Sequence, residues 1–148
     1  MEIHIGYSEY EFILIDVTSR SHPDADDFDD GNWLNAKVLV KAGSFSGAIN
    51  GQLRANELTF FRDELTKLYR SLSGSAKFST MEEWLSLEIA GDGKGHFTLT
   101  GEIMDEVGLG NILKFKFDFD QTFMPKVLSD LEKVINAFPI LGKTQTAS

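Results

Sequence analysis

The chain has no cysteine, so any chemistry must come from carboxylates, imidazoles, hydroxyls and lysines, and only the carboxylates are gathered in one place. Asp24, Asp26, Asp27, Asp29 and Asp30 put five acids into seven residues with no base among them, and the stretch 22–34 closes on Trp33 at the start of an expected strand. Such a density of like charge makes a local negative potential that a cation, a basic partner or water must answer. Calcium is the first chemistry to test. With Gly31 at the glycine position of an EF-hand loop, Asp26 and Asp30 take the first and fifth places. Phe28 then stands at the third and Lys37 where the bidentate glutamate belongs. The motif fails at two defining positions, and no metal or cofactor is assigned. A looser oxygen-ligated site for calcium or magnesium stays open as an alternative.

The remaining constellations are weaker. Residues 137–144 approach the phosphate-loop pattern G-x-x-x-x-G-K-[ST], but Ala137 replaces the first glycine. The segment also follows a helix instead of a strand, so its amides have no reason to converge on phosphate. The glycine-rich run 91–95 lies between two strand patterns and reads as a hairpin turn. The histidines at 4, 22 and 96 show no metal spacing. Gly43-Ser44-Phe45-Ser46-Gly47 leads into a strand, whereas a nucleophile elbow leads into a helix. The pairs Glu82 with Glu83 and Glu102 with Asp105 have no pocket in the sequence to make them an acid and a base. No catalytic residue is assigned.

These residues must be positioned by local structure, and the periodicity is clear. Apolar and polar residues alternate at 85–89, 97–103 and 111–120, where Leu113, Phe115, Phe117 and Phe119 face one way and Lys114, Lys116 and Asp118 the other. Three more strands are expected at 10–17, 33–41 and 45–53, the last with Phe45, Gly47, Ile49, Gly51 and Leu53 on one side. The helical period appears at 56–73, with Asn56 as the expected N-cap and Gly74 as the left-handed stop. It appears again from Thr122 to Phe138, with Pro125 in the first turn. The order is βββα-βββα. It predicts an α+β domain over residues 1–141, in which one antiparallel sheet of about six strands carries both helices on one face. Residues 142–148 are polar and aperiodic, and a flexible tail is expected there.

Composition bounds the function. The formal charge of −9 arises from 23 acids against 14 bases, and residues 1–40 hold nine acids and two bases. That surface repels phosphate backbones and anionic lipid, so nucleic-acid and membrane-surface roles are disfavoured, and it suits a basic protein partner. Acidity is equally an ordinary aid to solubility. The N-terminal residues lack the bases of a signal peptide and no apolar run approaches a membrane span, so a cytoplasmic protein is expected.

The set of motifs resembles the WapI type of bacterial immunity protein over about residues 8–138. The resemblance rests on Asp29-Asp30-Gly31-Asn32-Trp33-Leu34 before a strand and on the glycine-flanked serines at 43–47. It also rests on the helix from Glu57-Leu58 to Leu72 with Ser73-Gly74-Ser75-Ala76-Lys77-Phe78, and on the strand 113–119 followed by Asp120-Gln121-Thr122. It implies a non-enzymatic protein that binds and blocks a toxin, often a nuclease, inside the producing cell, and it transfers no binding residues. Joined to the charge pattern, it makes Asp24, Asp26, Asp27, Asp29, Asp30 and Trp33 the expected partner-binding residues, facing a basic toxin. The alternatives are a small-ligand or metal-binding domain using a concavity on the polar sheet face, and self-association through that face.

Overall fold

A computed structural model describes residues 1–143, so the expected tail falls, from residue 144 onward, outside the described residues. In chain order the elements are β1 (Glu2–Ser8), β2 (Glu11–Arg20), a one-turn helix α1 (Phe28–Gly31), β3 (Trp33–Ala42) and β4 (Phe45–Arg54). They continue with α2 (Ala55–Ser71), β5 (Ser73–Ser79), β6 (Leu85–Asp92), β7 (His96–Met104), β8 (Ile112–Asp120), a 3-10 turn (Gln121–Phe123) and α3 (Met124–Ala137). The strands form two four-stranded antiparallel meanders, in the orders β1-β2-β3-β4 and β5-β6-β7-β8.

The α+β class and the six expected strands are present, but among the described residues the single six-stranded sheet with two helices is replaced by two sheets and three helices. The difference comes from two edge strands. β1 alternates Glu2 and His4 outward with buried Ile3 and Ile5, a pattern too short to stand out. β5 has only Ala76 and Phe78 as buried apolar residues, because an edge strand needs little inward volume and its length is set by pairing with β6. Each added strand completes a meander, and the chain then leaves that sheet through a helix.

Helix starts and stops also differ from expectation for a tertiary reason. β4 runs into α2 without a loop, so Arg54, and not Asn56, is the N-cap; the Arg54 amide donates to Glu57 Oε1 at 2.6 Å. At the other end Leu72, and not Gly74, takes the left-handed conformation with φ of 63°, and β5 begins at the next residue. The carbonyl of Leu72 then accepts from the Gly93 amide at 2.7 Å, and a Cβ on Gly91 would collide with that carbonyl. α3 starts at Met124, and not at Thr122, with Pro125 in its first turn as expected; Thr122 lies in the preceding 3-10 turn, where its amide donates to Asp120.

The inward faces of both sheets join the apolar faces of the long helices in one buried cluster. Ile13, Ile15 and Val38 come from the first sheet, Leu87, Phe97 and Phe117 from the second, and Leu65 and Leu131 from the helices. Phe61 is buried and Phe60 lies 63% exposed, as neighbours on a helix that buries one face must be. The two sheets approach each other at β4, where glycines make room: a Cβ on Gly51 would lie in the indole ring of Trp84, and one on Gly47 would meet Ile103 Cδ1 at 2.7 Å.

Candidate partner-binding site

The acidic stretch forms the connection from β2 to β3, as expected, but it is a built structure and not a solvated loop. Asp27 caps α1, its carboxylate accepting from the Asp30 amide at 3.1 Å. The helix is only one turn long and cannot persist alone, so its stability must come from tertiary contacts. Two arginines supply them. Arg54, 3% exposed, donates from Nη2 to the Phe28 carbonyl at 2.6 Å and from Nη1 to the Asp29 carbonyl at 2.8 Å; its Nε donates to Asn56 Oδ1 at 3.2 Å. The same guanidinium lies over the rings of Phe28 and Trp33, 5.1 and 4.9 Å from their centres. Arg20 donates to the Gly31 carbonyl at 2.8 Å and to the Pro139 carbonyl at 2.7 Å.

Asn32 completes the clamp. Fully buried, it donates from Nδ2 to the carbonyls of Phe28 and Leu141, both at 3.0 Å, and accepts the Leu141 amide on Oδ1 at 2.8 Å. The segment after α3 is thereby tied to the acidic connection. Carbonyls at the end of a helix carry partial negative charge, and five nearby aspartates deepen the potential. That environment accommodates the buried guanidinium of Arg54. Deeply buried cations without such compensation are costly.

The backbone of the segment is thus held from beneath while its acids face out. Asp24, Asp26, Asp27, Asp29 and Asp30 are all exposed. Asp24 and Asp30 line an open depression of about 470 Å³ with Ser21, His22, Pro23 and Ala25. Trp33 is half-buried, and one face of its indole is taken by Arg54, so only its remaining surface is offered to a partner. The structure therefore places the sequence-derived acids on one connection, brings Asp24 and Asp30 to a common depression, and sets Trp33 at the start of β3. It also shows that Arg20, Asn32 and Arg54, which hold the display in place, had no role assigned to them. Arg54 ends β4 at the residue paired with Trp33, a relation between two strands that only the structure shows.

Among the described residues, no group of three or more His, Asp or Glu is arranged to hold a metal ion. On the polar face of the second sheet there is an open depression of about 530 Å³, over Gly101, with Lys77, Glu88, Thr100 and Lys116 around it. Lys114 and Glu102 pair there at 3.5 Å. Elsewhere, burial raises the Glu57 carboxyl above its usual range, against the lowering effect of the Arg54 amide and charge. The exposed Asp92 is lowered by the amides of Lys94 and His96, and the exposed Asp105 by the side chain and amide of Asn111.

The sequence profile of the Immunity protein WapI-like family matches residues 4–139, nearly the whole chain, and the protein belongs to that family. No curated protein matches it. Two solved structures are similar to it at low identity. The plant transcriptional regulator PBF-2 is 12% identical, with a TM-score of 0.50 over 95% of this chain and 82% of that one. The structure described as MRP1/MRP2 of Trypanosoma bruciei is 10% identical, with a TM-score of 0.49 over 93% and 83%.

Proposed function

We propose that this protein is an immunity protein of the cytoplasm that binds and neutralises a toxin with a basic, nuclease-like surface, without catalysis of its own. Its contact surface is the acidic segment bearing Asp24, Asp26, Asp27, Asp29 and Asp30, with the free surface of Trp33 beneath it. Family membership supports the role. The observation that carries the site is the display itself: exposed carboxylates on a backbone clamped by Arg20, Asn32 and Arg54. Pre-organised charge does not have to be ordered on binding, and a negative patch steers a positive partner into encounter. A nuclease surface shaped for phosphate is such a partner.

The test begins with co-purification of the protein with the toxin encoded beside it. Asp24→Asn, Asp26→Asn, Asp29→Asn and Asp30→Asn are then combined, with Asp27 left as the cap of α1. The association rate at low salt is expected to fall about tenfold and to lose most of its salt dependence. An unchanged association rate refutes the role of the segment, and failure to bind or neutralise that toxin refutes the immunity reading. The depression on the second sheet favours a second reading, a small-ligand site, which saturable binding of a small anion abolished by Lys116→Ala would support.

A further inference from the structure

Four strands end the two sheets, and three of them are guarded. The β1 edge is met by α3, where the His4 amide donates to Asp130 at 3.1 Å. The β5 edge is met by α2, where the Lys77 amide donates to Glu64 at 3.2 Å. β8 carries Lys114, Lys116, Asp118 and Asp120 on its outward face, and charges on an edge strand oppose pairing. β4 has none of these devices. From Phe45 to Leu53 it contains no charged residue and no proline, in a strand of ten residues paired only with β3.

Which backbone groups of β4 are open follows from two bonds. The Ala55 amide donates to the Asn32 carbonyl, so residues of odd number in β4 bond inward to β3; the Gln52 carbonyl faces away and accepts from Trp84 Nε1 at 2.8 Å. Ser46, Ala48 and Asn50 have the parity of Gln52. Both the N–H and the C=O of each point out of the sheet, all three residues are exposed, and no described residue bonds these groups. A groove of about 230 Å³ runs beside Asn50 and Gln52, walled by Trp84 and Met104 and bordered by Glu82 and Asp105 with no lysine or arginine. Glu83 and Glu106, also exposed, adjoin those acids in sequence.

We propose that the open edge of β4 receives an extended segment of another protein bearing lysine or arginine, which adds a fifth strand to the first sheet and sets its cationic side chains against Glu82 and Asp105. Strand addition gives main-chain hydrogen bonds at Ser46, Ala48 and Asn50, and the acidic border selects the charge of the guest. A second copy of this chain is a poor guest, since it would set its own Glu82 and Asp105 against the same border under a net charge of −9 on each copy. The edge lies outside the 24–30 segment and is argued independently of the immunity reading.

The experiment uses the full chain and a terminally blocked octapeptide of alternating lysine and valine, with backbone amide exchange followed residue by residue. The peptide is expected to slow exchange at Ser46, Ala48 and Asn50 about tenfold or more, and the same peptide methylated on its backbone nitrogens to have no effect. Ala48→Pro, whose lost N–H makes no bond within the sheet, is expected to abolish the protection while leaving the circular dichroism spectrum unchanged. A glutamate–valine peptide that binds equally well, or a methylated peptide that binds undiminished, overturns the proposal. So does a free chain that sizes as a dimer with these amides already protected, which would make a second copy the occupant. No protection by the lysine–valine peptide refutes the strand-addition site alone, whereas loss of toxin binding in the co-purification assay refutes the immunity reading alone.

Discussion

β2–β3 and β6–β7 are corresponding hairpins of the two meanders, yet the first connection takes residues 21–32 and the second only 93–95. In the second, one carboxylate closes the turn: Asp92 Oδ1 accepts from the amides of Lys94 and His96. In the first, a one-turn helix, two arginines and a buried asparagine are needed to hold a longer excursion in place. The last strands differ as well, β8 being charged along its outward face and β4 neutral from Phe45 to Leu53. A sheet closes its turns with a few local bonds, so extra machinery at one hairpin and missing protection at one edge mark where the first meander departs from what folding alone requires.

The largest expected effect comes from breaking the clamp. Arg54→Ala removes the arginine donor from the Asp29 carbonyl and leaves the Phe28 carbonyl to Asn32 alone, and it should cost about 4 kcal/mol in urea denaturation. Arg54→Lys should recover little, because an ammonium cannot bridge two carbonyls while stacking between two rings. Asn32→Ala should cost about 2 kcal/mol and, more specifically, should speed amide exchange at Leu141, whose partner is lost. Asp92→Asn, the corresponding cut in the short hairpin, should leave exchange in the remainder of its sheet unchanged, which tests whether the difference between the hairpins is as large as their geometry indicates.

A smaller effect separates the two glycines where the sheets meet. Gly51→Ala drives a methyl into the rigid Trp84 ring and should cost about 2 kcal/mol. Gly47→Ala meets the movable end of Ile103 and should cost about 1 kcal/mol or less in the same assay. The smallest expected effect is in pH dependence, and its sign differs between sites. The Asp92 and Asp105 carboxyls are lowered by hydrogen bonds, so their contribution is present above the ordinary aspartate pKa and is lost as pH falls through the depressed value. Glu57 is raised by burial, so the stability it contributes is full below its unfolded pKa and is lost as pH rises through the raised value. Glu57→Gln should therefore gain on the parent from acidic to neutral pH, and Asp105→Asn should gain on it as the solution is acidified, both read from denaturation curves.

Periodicity made the strong elements legible. The alternation around Phe115, Phe117 and Phe119 and the helical spacing of Leu58, Phe61, Leu65 and Leu68 are properties of short stretches, and those residues are buried as their spacing predicts. β1 and β5 were not read because edge strands bury few side chains and take their length from a neighbour. At the candidate site, Asp24, Asp26, Asp27, Asp29, Asp30 and Trp33 were visible as charge and aromatic character, whereas the clamp was not. Arg20 and Arg54 lie far from Pro139 and Phe28 in sequence, and both bond to carbonyls, which every residue possesses and no residue type announces.

By itself the sequence determined the class of the fold, the inward faces of its main strands and helices, and an acidic connection between two of those strands. Only the tertiary structure decided that the strands divide into two sheets, that the acidic connection rests on two arginines and an asparagine, and that β4 alone ends a sheet without guard. The reason is physical: apolar spacing is recorded in the side chains of a single segment, whereas pairing partners, buried carbonyl contacts and open strand edges are relations between distant backbones.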